Sequence, residues 1–169
     1  MHSGGFAVTQ RDMKLINATL ARWLVPERTL LQSLLLLVIR LYWGWQFFQN
    51  GKGKLSDLQK VTGYFQSLGI PLPHLQAIVC GALECGGGLL LLFGLASRLI
   101  SIPLMISMSV AYFAADTDKV KAIFSDPDKF LGADEFLFLF AVVLVFVFGP
   151  GKFALDRLIA RKWSRSQAV

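Results

Sequence analysis

Two side chains able to do acid–base or electrostatic chemistry sit inside otherwise apolar runs. Arg40 lies in LLQSLLLLVIRLYWGWQFFQ (30–49), and Glu84 lies in HLQAIVCGALECGGGLLLLFGL (74–95). Either charge alone in hydrocarbon costs several kcal/mol, so each demands a partner. Counting inward from Leu30 and from Leu95 puts both at about 15 Å from the same membrane face, at 1.5 Å per residue. The sequence therefore predicts an intramembrane Arg40–Glu84 ion pair. Such a pair has two readings. It fixes helix register, or it lines a polar pocket in which the guanidinium polarises a ligand oxygen and the carboxylate moves a proton.

The residues expected to share faces with these charges are Gly44 and Phe47 around Arg40, and Gly81 and Gly88 around Glu84. With Tyr112 they are the candidate pocket lining. Glu135, next to Asp134, is a third candidate charge. It either faces the same pocket or sits favourably at a positively charged helix N-terminus. No metal site is expected. His2 and His74 are the only histidines, and neither lies mid-span, so paired axial haem ligands are missing. CxxCH, GxGxxG and metal-ligand spacings are absent too. Cys80 and Cys85, about 7.5 Å apart in helical rise, are too distant to bridge. They read as small apolar helix residues.

The elements that must hold these groups are transmembrane helices. The chain has 169 residues, is 54% hydrophobic and only 17% charged, and has a mean hydropathy of +0.55. Its charges cluster between apolar runs too long for an ordinary soluble core. The expectation is an all-α integral membrane four-helix bundle with amphipathic surface helices. The spans fall at about 30–49, 74–95, 99–115 and 132–149, inside a domain covering 30–151. The fourth has the shortest purely apolar stretch. Small residues in the second span favour close helix approach, and the three-residue link 96–98 makes spans two and three antiparallel neighbours.

Between spans one and two, Leu58, Val61, Phe65 and Leu68 recur at helical spacing. They predict a short surface or re-entrant helix capped by Ser56 and stopped near Gly69. GKGK (51–54) lacks the spacing of a phosphate loop. The N-terminal segment 1–29 carries an amphipathic stretch at 11–25, and the tail 152–169 reads as a basic surface segment.

No signal-peptide pattern stands at the start, so the spans themselves are expected to hold the chain in the membrane. The net charge of +6 fits lysines and arginines flanking membrane spans better than nucleic-acid binding. Ten lysines and arginines fall on the side of the termini and six on the other, which places both termini in the cytoplasm.

RLYWGWQFFQNGKGKL (40–55), LGIP (68–71), GALECGGGLLLLFGLASRL (81–99), Asp134-Glu135-Phe136 and GPGKFALDRL (149–158) together resemble the DoxX family of small four-span membrane proteins. The resemblance covers roughly 33–158. The chain departs from the family at Ala154, where a serine is frequent, and at Gln49-Asn50, where His-Gly is common. The resemblance implies that Arg40, Glu84 and Glu135 occupy the family's charged positions. It also implies a bacterial-type inner-membrane location and a link to quinone or sulfur oxidation. The expected partners are then the bilayer, a quinone or lipid ligand, and a soluble redox protein, with no covalently bound cofactor. A non-enzymatic binding, transport or assembly role is the competing reading.

Overall fold

A computed structural model describes residues 30–157. The expectations for 1–29 and for the tail beyond Arg157 lie outside the described residues. All regular structure within them is helical: α1 Leu30–Ser56, α2 Leu58–Ser67, α3 Pro73–Phe93, α4 Ser97–Ala115, α5 Thr117–Lys121, α6 Pro127–Leu131 and α7 Asp134–Phe148. Four of them form a closed bundle in which α1 packs on α3, α3 on α4, α4 on α7 and α7 back on α1.

Three helices, α1, α3 and α4, are long and apolar enough to cross a membrane. The fourth, α7, has 15 residues, or about 22 Å of rise. It begins at Asp134, later than the expected 132, because Gly132 ends α6 and Ala133 is extended. Asp134 and Glu135 therefore lie in its first turn.

The bundle inverts the soluble pattern. Leu31, Val38, Leu99 and Ile106 point outward and are more than half exposed, while Ser33, Arg40, Glu84, Ser97 and Ser101 are buried. Lipid-facing leucines suit a bilayer, and polar groups turn inward because hydrocarbon offers them no partners. The apolar centre comprises Phe47, Leu91, Leu104, Met108, Val142 and Val145.

Helix α1 runs seven residues past its expected end at 49, continuing through GKGK. Glycine usually weakens a helix, but here it permits contact. A Cβ on Gly51 would lie 2.2 Å from the Cys85 amide nitrogen and 2.6 Å from the Gly81 carbonyl oxygen. On Gly44 it would lie 2.9 Å from the Gly88 oxygen. These two close approaches set the register of α1 on α3.

The face predicted for α2 is correct. Leu58, Val61, Phe65 and Leu68 are its half-buried hydrophobic positions, packed against α3. Its cap is Asp57, not Ser56. The Asp57 carboxylate accepts from the Lys60 amide at 3.2 Å, whereas the Ser56 hydroxyl turns back to donate to the Lys52 carbonyl. Ser97 is the first residue of α4. The α4 N-terminus is capped from the far end of the chain: Asp156 accepts from the Ala96 amide at 2.9 Å and the Ser97 amide at 3.3 Å. Pro103 stands inside α4, where it removes one helical hydrogen bond.

Candidate functional site

Glu84 is 1% exposed, on the face of α3 that meets α1. Its partner is Lys54, whose Nζ lies 2.5 Å from Oε1. The glycine register sets Lys54 against Cys80, and a helical side chain leans toward its own N-terminus. Lys54 therefore reaches back along α3 toward Glu84. On its way the ammonium passes 3.7 Å from Cys80 Sγ. The Cys80 thiol donates to Glu84 Oε1 at 3.3 Å and lies 3.6 Å from Ser107 Oγ of α4. One carboxylate oxygen thus receives both an ammonium and a thiol. The other, Glu84 Oε2, is buried with no hydrogen-bond partner among the described residues. A buried carboxylate oxygen left bare costs free energy, and a ligand hydroxyl would satisfy it. Lys54 is 29% exposed, so the cluster is reachable from outside the bundle at the α2 end of α1.

Arg40 does not meet Glu84, contrary to the sequence expectation. Its Nε donates to the Leu91 carbonyl at 3.0 Å and its Nη1 to the Pro150 carbonyl. Leu91 is two helical turns from Glu84, about 10 Å along the axis. Counting from the helix ends assumed that Leu30 and Leu95 share a level. The glycine contacts instead place Arg40 beside Leu91 and Gly94. Gly94, at φ +71°, packs directly on the guanidinium, and a Cβ there would lie 2.7 Å from Cζ. Asp156 attracts Arg40 electrostatically while its backbone amide bonds to the Gly94 carbonyl at 3.1 Å. Arg40 therefore clasps the α3–α4 turn to the Gly149–Gly151 exit. Its donors face carbonyl ends, for which a guanidinium is suited.

The other expected pocket residues divide. Gly44, Gly81 and Gly88 do not line open space. Gly44 and Gly88 are filled by each other's backbone, and Gly81 is covered by the Leu55 side chain. Phe47 is fully buried in the core, 4.7 Å from Phe138 in an edge-on ring contact. Tyr112 and Glu135 belong to a separate cluster at the α4–α7 end. There the Tyr112 hydroxyl donates to the Phe130 carbonyl at 2.8 Å. Glu135 shares a hydrogen bond with Asp116, and Lys119 lies 3.0 Å from Asp116. The Glu135 hydrogen bond, aided by Lys119, holds the Asp116 carboxyl below its usual range. The hydrogen bond to Asp116 in turn raises Lys119 above the ordinary lysine value. Arg40, Glu84 and Glu135 thus have three different sets of partners.

Sequence reasoning missed Lys54, Ser107, Asp116 and Asp156. The signal for Lys54 was present: continued as a helix, α1 places it on one face with Gly44, Phe47 and Gly51 at three- and four-residue steps. Among the described residues no group of three or more metal-ligating side chains occurs.

A family model described as DoxX matches residues 35–117. The chain is 30% identical over 123 residues to a Bacillus subtilis protein named "Putative oxidoreductase CatD", covering 73% of this chain and 85% of the relative. It is 27% identical over 139 residues to "Inner membrane protein YqjF" of Escherichia coli, covering 79% and 98%. It is 29% identical over 138 residues to "Uncharacterized membrane protein Rv3486" of Mycobacterium tuberculosis, covering 75% and 82%. No solved structure matches the chain.

Proposed function

The chain belongs to the DoxX family, a multi-pass membrane protein whose helices contact the bilayer, and from that premise we propose that it is the quinone-interacting membrane subunit of an oxidoreductase system. The observation that carries this reading is Glu84 Oε2, buried and bare beside a cation at the mouth of an aromatic-rich bundle. Residues of this kind fit a quinone head group. Lys54 donates to a ring oxygen, and Glu84 accepts from the hydroxyl that a reduced ring carries. A quinone supplies two-electron, two-proton chemistry when bound. This chain supplies the charge and the proton acceptor, and a soluble partner supplies the electrons. The name of the Bacillus relative points the same way.

The site opens toward the α2 side. With both termini cytoplasmic and an inner-membrane location, which the Escherichia relative's name supports, that side is the outer face. The segments 1–29 and 152–169 then form cytoplasmic extensions of the 30–151 domain. Arg40 has no role in quinone chemistry in this scheme, since carbonyl oxygens occupy its donors.

Extraction and mass spectrometry of the protein purified in mild detergent tests the reading. A quinone should co-purify with the wild type and be lost from Glu84→Gln and Lys54→Met, while Glu135→Gln retains it. Wild type without quinone, together with unchanged quinone reduction in membranes carrying both variants, would overturn it.

A further inference from the structure

Lys54 has two acidic neighbours, the Glu84 carboxyl and the Cys80 thiol. As found, Glu84 is the carboxylate and the Cys80 thiol donates to it at 3.3 Å. Moving that one proton from sulfur to oxygen leaves the net charge of the cluster unchanged. Glu84 becomes neutral, and the Lys54 ammonium, 3.7 Å from the sulfur, becomes the counter-ion of a thiolate. Ser107, 3.6 Å away on α4, can donate to that thiolate from the opposite side. The proton travels along the existing Sγ–H to Oε1 contact, and Oε2, the bare oxygen of a side chain only 1% exposed, stays free to meet a ligand.

We propose that Cys80 is a second reactive group of this site: a thiol that Lys54 turns into a nucleophile when Glu84 holds the proton, directed at conjugated carbonyl compounds dissolved in the bilayer. The pairing of a thiolate with a nearby carboxylic acid matches addition to a conjugated carbonyl. Sulfur bonds to the β-carbon, the C=C pair shifts to join the α-carbon and the carbonyl carbon, the C=O π pair moves onto oxygen, and that oxygen takes the proton from Glu84 to give the enol. The carboxylate then returns to Lys54. No oxidant or reductant is consumed. Quinone rings belong to this substrate class, so the inference rests on the quinone reading for its natural ligand, but not for its chemistry.

N-ethylmaleimide, itself a conjugated dicarbonyl, tests the thiol without requiring quinone binding. The full chain in lipid nanodiscs carries Cys85→Ala, so that Cys80 is the one cysteine, and alkylation at neutral pH is followed by intact-mass spectrometry. Glu84→Gln mimics the protonated acid and should speed alkylation by about tenfold, the effect of one unit in thiol acidity. Lys54→Met should slow it by about as much, and Lys54→Arg should leave it near the parent. Should Glu84→Gln fail to fold, the Lys54 pair decides the matter alone. A rate unmoved by Lys54→Met, or lowered by Glu84→Gln in folded protein, would overturn the inference. Loss of co-purifying quinone would leave it intact.

Discussion

Replacing Lys54 with methionine should destabilise the protein, and adding Glu84→Gln should restore much of the loss. The bare Coulomb attraction at 2.5 Å is about 7 kcal/mol at an effective dielectric of 20, but desolvation of both ions offsets most of it. The net worth of the intact pair is therefore small. Removing only the cation is different, because it leaves a carboxylate 1% exposed with one oxygen already bare. That situation typically costs about 3–5 kcal/mol, and the 29% exposure of Lys54 favours the low end, about 3 kcal/mol. For a chain of this size that corresponds to about 6–12 °C in Tm. In Lys54→Met/Glu84→Gln the neutral amide carries no stranded charge, so at least half the loss should return. Thermal unfolding of the four proteins in one detergent, closed as a double-mutant cycle, measures this coupling. A double variant as unstable as Lys54→Met, or a Lys54→Met protein as stable as wild type, would refute the assignment of Lys54 as the partner of Glu84.

Arg40→Lys should lose about 2 kcal/mol in the same assay, because an ammonium cannot hold the Leu91 and Pro150 carbonyls in one plane, whereas a pure charge contact would tolerate the change. Gly51→Ala should cost about 3 kcal/mol or block folding, since its Cβ would meet α3 backbone at 2.2 Å. Gly86→Ala, with nothing within 4 Å, should be neutral or stabilising by up to about 1 kcal/mol. At the α4–α7 end, Asp116 lies below its ordinary value and Lys119 above its own. Their contact should thus stabilise the native state near neutral pH. It should be lost as pH falls through the folded-state Asp116 value, and also as pH rises past the ordinary lysine range. Hydrogen exchange of 116–135 across pH would show this, and Asp116→Asn should remove the acid limb.

Much of the fold was legible because lipid imposes simple rules. Long apolar runs gave α1, α3 and α4 nearly at their observed positions, and the three- and four-residue steps of Leu58, Val61, Phe65 and Leu68 identified the packed face of α2. The end of α1 was misplaced because the apolar run stops at 49, before GKGK. The stabilising contact that keeps Gly51 helical belongs to another helix. The Arg40–Glu84 pairing failed for a related reason. Distances along each helix were sound, but the axial offset between helices is not a property of either one. Two glycine contacts shifted it by about two turns, far more than a salt bridge tolerates.

The amino-acid order alone determined that this chain lives in a membrane as a helical bundle and that each buried charge must find a partner, because hydration and hydrogen-bond satisfaction are local demands. Which partner each charge finds was decided only in three dimensions. Where glycine let two backbones touch, α1 locked onto α3 in one register, and that register gave Glu84 to Lys54 and Cys80 and gave Arg40 to the carbonyls of Leu91 and Pro150.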